Sequence, residues 1–300
     1  MQIEAFFDTH TSTLTYVVHD PSSHDALIID PVLDYDPAAS KVWTESVDKV
    51  VHFIEKHSLK PLFILETHAH ADHLSGSQVL KNRYPDAVLA IGRNITKVQK
   101  LFRDVFALPA TFAVDGSQFD RLLDEDEVVK AGVFDIRVLF TPGHTPACSS
   151  YLIGDALFTG DTLFMPDMGT GRCDFPGGSV KDMYESITGK IYTLPPTTRI
   201  FVGHDYQPGG RDLACEASVA EQRRDNIQLN DKTSLEDFIT FRSERDKTLD
   251  TPRLLLQSVQ VNIDAGSMPG ADDEGRRFLK IPVNVFKPEG AGGLQLDEIS

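Results

Sequence analysis

Three histidines and one aspartate stand within six positions of one another, at His68, His70, Asp72 and His73. Neutral imidazole and carboxylate groups are the usual protein ligands of zinc and iron. A lone histidine is more often an ordinary loop side chain, but this density of ligand groups favours a metal site. An apolar run precedes the cluster and a helical pattern follows it, so the cluster is predicted on a strand-to-helix loop.

Later in the chain, three further groups of this kind follow apolar runs. His144, Asp161 and His204 each come a few residues after a run that is predicted to be a strand. His68 stands in the same relation to residues 62–65. Because strand ends of a layered α/β fold converge on one edge of the sheet, where binding sites form, the sequence predicts one shared site.

Apolar periodicity and turn residues predict the strands and helices that carry these groups. Alternating runs at residues 2–8, 13–19 and 26–30 predict an opening β-meander, and residues 42–57 have the spacing of an amphipathic helix. The acidic run at residues 124–127 is interpreted as a solvated turn. Further strands are predicted at residues 134–140, 150–153, 156–158 and 199–202, and further helices at residues 74–84, 94–106, 216–229 and 234–249.

Length and composition indicate one large core with an appendage. The 300 residues are 41% hydrophobic and 25% charged, which is ordinary for a globular α/β protein. We expect a core over residues 1–210 and an extension over residues 211–300 that packs on it and contributes to the substrate pocket. Two apolar runs of the extension, residues 253–256 and 278–283, are expected to be buried.

Charge and cysteine content exclude several classes of partner. A net charge of -16 argues against nucleic acid and acidic membrane surfaces, since both need a basic face on the protein. The start of the chain lacks the pattern of a secretory signal, and no apolar run is long enough to span a membrane. Three widely separated cysteines make a disulfide framework improbable. We therefore expect a cytoplasmic protein. Its oligomeric state is left open, with a homodimer as one alternative.

Four motifs carry a resemblance to a known family. The segments T-H-A-H-A-D-H, T-P-G-H-T, F-T-G-D-T and G-H-D-Y, over roughly residues 1–210, resemble the metallo-β-lactamase superfamily. Ala69 and Ala71 inside the first motif, together with the segment G-R-C-D-F at residues 171–175, are similar to the bacterial persulfide dioxygenases, also called sulfur dioxygenases. Glyoxalase II is a related group. The resemblance implies an αββα sandwich with a C-terminal extension.

For the site, the resemblance implies one ferrous ion per chain, held by His68, His144 and Asp161. Two imidazoles and one carboxylate form a facial triad that leaves positions open for substrate and dioxygen. The groups expected around this centre are His70, Asp72, His73 and His204. The candidate contacts to a glutathione substrate, which needs local cations on so acidic a protein, are Arg172, Tyr206, Arg211 and Lys280.

The implied activity is oxidation of glutathione persulfide by dioxygen to sulfite and glutathione, a reaction of sulfur metabolism. The same ligand types would also hold two zinc ions, with Asp161 bridging, in a hydrolase of glutathione thioesters. A metal-binding protein without turnover is a third alternative, although no ligand position is missing. The spacing of the ligand residues alone does not distinguish the dioxygenase from the hydrolase.

Overall fold

Two six-stranded sheets form the centre of the molecule, in a computed structural model that describes residues 1–283. The first sheet has the order β1-β2-β3-β6-β8-β9: its first three strands are antiparallel and its last three pair in parallel. Its strands are β1 (Gln2–Asp8), β2 (Thr13–His19), β3 (Asp25–Ile29), β6 (Lys60–Glu66), β8 (Val88–Gly92) and β9 (Arg121–Leu123).

The second sheet runs from β10 to β15 in sequence order, and only its β13 and β14 pair in parallel. Its strands are β10 (Val128–Ala131), β11 (Phe134–Phe140), β12 (Ser149–Ile153), β13 (Ala156–Phe158), β14 (Arg199–Phe201) and β15 (Glu216–Ser218). A small third sheet lies beside them, with the order β5-β4-β7. Its strands are β4 (Val32–Asp36), β5 (Lys41–Trp43) and β7 (Leu74–Ser75).

Helices cover the outer faces of both large sheets, which gives the αββα sandwich that the sequence predicted. The helices are α1 (Glu45–Lys56), α2 (Ser77–Arg83), α3 (Ile95–Val105), α4 (Val180–Gly189), α5 (Val219–Asp225), α6 (Leu235–Asp246) and α7 (Leu255–Asn262). The period-two pattern of β2 explains the layers, since Tyr16 and Val18 face the second sheet whereas Val17 packs towards α1. No helix within residues 1–283 is long and apolar enough to cross a membrane.

The region after residue 210 joins the core through both strand pairing and burial. Strand β15 pairs with β14, so residues 216–218 are not the helix start that their sequence predicted. Leu254 and Leu255 are buried as expected, and Val259 joins the same cluster as α1 and α3. The expectation for residues 278–283 is wrong, because Phe278 is 60% exposed. Residues 284–300 of the predicted extension lie outside the described residues.

Candidate metal centre and its cavity

Two imidazoles and one carboxylate meet at the ends of three strands. His68 follows β6, His144 follows β11, and Asp161 follows β13 within a short 3-10 helix, Gly160–Thr162. The Oδ2 atom of Asp161 lies 4.0 Å from Nε2 of His68 and 3.6 Å from Nε2 of His144. All three side chains are buried. The structure therefore brings together, at the ends of three strands, the three residues that were expected to bind iron.

Hydrogen bonds on the far side of each ring fix which nitrogen faces this cluster. The Nδ1 atom of His144 lies 2.8 Å from the carbonyl of Arg172, which can only accept, so Nδ1 carries the proton. The hydroxyl of Thr67 donates to Asp30 at 2.7 Å, and Nδ1 of His68 therefore donates to Thr67 at 3.0 Å. In both rings Nε2 is left as an unprotonated nitrogen that faces Asp161.

Asp161 is held close to its neighbours by glycines on two sides. Gly160 has a φ of +49°, a left-handed conformation that glycine adopts without strain. A β-carbon on Gly203 would stand 2.9 Å from the Oδ1 atom of Asp161. The approach of β14 to the Asp161 turn therefore depends on Gly203, which directly precedes His204.

His204 lies between two carboxylates. Its Nδ1 atom is 2.7 Å from Oδ1 of Asp161, and its Nε2 atom is 2.6 Å from Oδ2 of Asp72. Burial opposes the charged form of His204, but Asp161 and Asp72 outweigh it and raise the pKa of His204 well above its usual value. Because each ring nitrogen has a carboxylate oxygen to donate to, the imidazolium form fits this position.

His70 and His73 line the other side of the cluster and are buried. The Nε2 atom of His70 is 3.0 Å from Oδ1 of Asp30 and 3.3 Å from Oε2 of Glu66. Burial lowers the pKa of His70, but these two carboxylates raise it well above the usual value. His73 places Nδ1 3.3 Å from Oδ2 of Asp72.

Buried nitrogens without hydrogen-bond partners show that a metal ion fits these residues. Within residues 1–283, Nε2 of His68, both ring nitrogens of His70 and Nε2 of His73 have no such partner. A buried unpaired polar atom costs about 1–3 kcal/mol, so four at one place call for a ligand. Metal-compatible groupings include His68 with His144 and Asp161, and His70 with Asp72 and His73. Burial also lowers the pKa of His68 and of His144, which keeps both in the neutral form that binds metal.

A cavity of about 750 Å³ opens onto the cluster. Of the seven metal-site candidates, only Asp72, His144 and Asp161 line it. Phe175 packs edge-on against His144, with ring centroids 4.9 Å apart, and Phe164 also lines the cavity. An incoming small molecule therefore meets the His144–Asp161 side of the cluster, beside an apolar wall.

Of the four predicted substrate contacts, Arg172 and Tyr206 line this cavity. Tyr206 stacks on His204, with ring centroids 5.6 Å apart and planes 2° apart. The guanidinium of Arg172 already donates to Asp174 at 2.7 Å and to the carbonyl of Asp250 at 2.7 Å. Arg172 therefore also braces its own loop.

The structure places Arg211 and Lys280 outside the lining of the cavity. Arg211 binds Asp205 and Asp167, with Nη1 to Asp205 at 2.7 Å and Nη2 to Asp167 at 3.0 Å. Lys280 donates to the carbonyl of Ala107 at 2.8 Å. Arg211 was predicted as a substrate contact because it is close to His204 in the sequence. In the structure its guanidinium group is already bonded to Asp205 and Asp167.

Sequence reasoning missed three arginines that line the cavity from the extension, Arg242, Arg245 and Arg253. Arg242 is buried and paired with Asp246 at 2.6 Å. Within the described part of the chain, the guanidinium groups of Arg245 and Arg253 make no ion pair. The only signal in the sequence was the general need for local cations. It does not identify which arginines α6 and the turn before α7 bring to the site.

The profile of the Metallo-beta-lactamase superfamily matches residues 8–204. A probable metallo-hydrolase of Burkholderia pseudomallei is 45% identical over 296 residues, which cover 95% of this chain and 100% of that protein. Glyoxylase B2 of Dictyostelium discoideum is 45% identical over 287 residues, which cover 95% of this chain and 98% of that protein.

Proteins named as persulfide dioxygenases are also similar. The mitochondrial persulfide dioxygenase ETHE1 of Mus musculus is 31% identical over 239 residues, which cover 79% of this chain and 78% of that protein. The crystal structure of ETHE1 from Myxococcus xanthus superposes with a TM-score of 0.71 at 31% identity, and covers 89% of this chain and 100% of that one. The more similar relatives thus carry hydrolase or glyoxylase names, and a similar solved structure is an ETHE1.

Proposed function

The chain belongs to the metallo-beta-lactamase superfamily, whose members include hydrolases and ETHE1 dioxygenases, and we propose that this protein is an iron-dependent persulfide dioxygenase. It oxidises glutathione persulfide with dioxygen to sulfite and glutathione. The sulfur–sulfur bond breaks, and the terminal sulfur is oxidised while dioxygen is reduced. Water supplies the third oxygen of sulfite, and the thiol of glutathione leaves.

The observation that carries this proposal is the grouping of His68, His144 and Asp161, whose ligand atoms all lie within 4.8 Å of one another. Two histidines and one carboxylate are the ligand set of non-haem iron oxygenases. His144 and Asp161 also line the cavity, so an ion held by this group would be open to a substrate. Asp72, Asp161 and His204 form a further group whose atoms could hold a second ion.

The residues around the ion orient and shield the reactants. Bound ferrous iron supplies the redox chemistry by which dioxygen reacts with a persulfide sulfur. His204 holds Asp161 so that only its Oδ2 faces His68 and His144. Phe164 and Phe175 make the adjoining wall apolar, which shields a bound persulfide from bulk solvent.

Arginines at the cavity support an anionic substrate for a chain of net charge -16. Glutathione carries two carboxylates, and guanidinium groups bind carboxylates through a bidentate fork. Arg245 and Arg253 line the cavity without an ion pair in the described residues, so their donors are free for this role. Arg172 and Tyr206 line the same cavity and remain proposed contacts.

A dinuclear zinc hydrolase of glutathione thioesters is the second candidate. The unpartnered Nδ1 of His70 and Nε2 of His73 favour it, since a second ion would use both atoms. The names of the Burkholderia and Dictyostelium relatives point the same way. In this alternative, His70 and His73 would help to hold the second zinc ion, and the two ions would supply the activation of water that thioester hydrolysis needs.

Measurement of the metal content, together with activity assays on two substrates, distinguishes the two candidate functions. The full chain is reconstituted anaerobically with ferrous iron, and oxygen uptake and sulfite are measured with glutathione persulfide. A second sample is loaded with zinc and assayed with S-lactoylglutathione. We expect one iron per chain and sulfite production. Two zinc ions per chain with thioester hydrolysis, and no oxygen uptake by the iron form, would overturn the proposal.

A further inference from the structure

One side chain of the C-terminal segment reaches the metal-binding loop and uses all its hydrogen-bonding groups there. Asn262, the last residue of α7, donates from Nδ2 to the carbonyl of His70 at 2.8 Å and to the carbonyl of His73 at 2.9 Å. Its Oδ1 atom accepts from the amide of Ser75 at 2.8 Å. Asn262 is only 4% exposed, so these bonds are made away from solvent.

The three bonds span the part of the loop that carries Asp72. The carbonyls of His70 and His73 lie on either side of this residue, and each would cost about 1–3 kcal/mol if it were buried without a partner. Asn262 therefore does more than fill space beside the loop, because it fixes the main chain before and after Asp72.

Asp72 passes this constraint to the ligand Asp161. Its Oδ2 atom lies 2.6 Å from Nε2 of His204, whose Nδ1 atom lies 2.7 Å from Oδ1 of Asp161. A displacement of the loop would thus change the orientation of His204 and, through it, the carboxylate that faces His68 and His144. The chain of contacts runs from α7 to the ion site without a gap.

We infer that Asn262 is a positioning residue through which the C-terminal segment holds the metal-binding loop in its ligand-presenting conformation. The inference rests on the metal centre of the proposed function, but it does not depend on which metal is bound or which substrate reacts. Asn262 itself is neither a residue of the cavity lining nor one of the candidate ligands.

Gln99 offers a matched control. Its amide is also fully buried, with Nε2 donating to Gln118 at 2.8 Å and to the carbonyl of Ile263 at 2.9 Å, and Oε1 accepting from Gly116 at 3.0 Å. It therefore makes the same number of hydrogen bonds, one of them to Ile263, the residue after Asn262, and none of them to the loop. If the amide of Asn262 only stabilises the fold, its replacement should affect metal affinity no more than the replacement of Gln99 does.

The test compares Asn262→Ala and Asn262→Asp with Gln99→Ala and Gln99→Glu in the full chain. Affinities for Fe²⁺ and, separately, for Zn²⁺ are measured by competition with a chelator, and thermal stability is measured without metal. We expect all four variants to lose stability. Only the Asn262 variants should lose about 10- to 100-fold in metal affinity, the range seen when groups behind metal ligands are removed. For the iron form, kcat should fall more than KM rises.

Unchanged metal affinity in the Asn262 variants, or an equal loss in the Gln99 variants, would overturn the inference. Asn262→Asp keeps the shape of the side chain and the acceptor for Ser75. If Asn262→Ala does not fold, the metal affinity of Asn262→Asp alone tests the inference. If neither folds, Asn262 is a folding residue and the inference fails. A wild-type protein that binds metal but does not oxidise glutathione persulfide would refute the proposed function only, since the difference between the Asn262 and Gln99 variants would still be measurable.

Discussion

At the scale of single residues, the site separates histidines that face the carboxylate of Asp161 from histidines that are held by other carboxylates. The Nε2 atoms of His68 and His144 face Asp161, whereas His70 contacts Asp30 and Glu66. The motif in the sequence showed that all these histidines could be metal ligands. It did not show which of them face Asp161, because the orientation of each ring depends on partners that are distant in the chain, such as Asp30.

Alanine at His68, His144 or Asp161 should abolish iron retention, because each change removes one of three proposed protein ligands. Alanine at His70 or His73 should leave iron bound but reduce turnover about 10- to 100-fold, as expected for groups behind the ligands. Iron content is measured after anaerobic desalting, and turnover with an oxygen electrode. An equal loss of iron in all five variants would contradict the single-iron assignment.

Arg245→Ala and Arg253→Ala should raise KM for glutathione persulfide and leave iron content unchanged. Both side chains are exposed, so each change should cost up to about 1 kcal/mol, a several-fold rise in KM that shrinks at high salt. The matched control is Arg224→Ala, an exposed arginine outside the cavity lining. A KM that is unaltered in the double variant of Arg245 and Arg253 would place the anionic contacts elsewhere.

At the scale of elements, α6 clamps the loop that orients His144. Asp246 accepts from the amide of Cys173 at 2.9 Å, and Arg242 donates to the carbonyl of Thr170 at 3.2 Å. Between these two anchors lies Arg172, whose carbonyl accepts from His144. The direction of His144 is therefore set by a helix of the extension as well as by β11.

Asp246→Ala should destabilise the fold by about 3–5 kcal/mol, because it leaves Arg242 buried without its ion partner. Replacing both residues, as Arg242→Met with Asp246→Leu, should recover much of this loss but not the two anchors of the loop. We expect the double variant to unfold at a urea concentration near that of wild type while its metal affinity stays reduced. Recovery of both properties together would mean that the clamp serves stability alone.

Most elements were predictable where local pattern and tertiary role agree. Strand β11 matches its predicted range, Phe134–Phe140, because its alternation reports one buried face. Residues 216–218 form a strand since pairing with β14 overrides their helical pattern. Helix α4 was not predicted, although Val180, Met183, Tyr184 and Ile187 have helical spacing and Ser179 caps the first turn. Which arginines of the extension reach the cavity depends on tertiary packing, which periodicity does not encode.

At the scale of the whole molecule, acidic groups in the interior determine how stability responds to pH. Burial opposes ionisation of Asp30, Asp72, Asp161 and Asp205, but histidine or arginine partners lower the pKa of each below the ordinary value of 3.8. Each group therefore contributes stability that is present above pH 3.8 and is lost as the pH falls through its lowered pKa.

The free energy of unfolding of the metal-free chain should fall steeply below about pH 4. Protonation also relieves the repulsion of a chain with net charge -16, but that repulsion acts through water and is screened over about 8 Å. The buried pairs are in direct contact, so their loss should dominate. Urea titrations between pH 3 and pH 7 measure this, and a stability that rises on acidification through pH 4 would contradict it.

The distance along the chain between the metal-binding loop and Asn262 has a consequence for biosynthesis. Asn262 follows His70 by 192 residues, so at about 5–20 residues per second a ribosome needs roughly 10 to 40 seconds to make the one after the other. Throughout that interval the nascent chain exposes His68, His70 and His73 while the side chain that anchors their loop does not yet exist. A metal ion captured during translation meets an unanchored loop, whereas one captured after release meets the finished site.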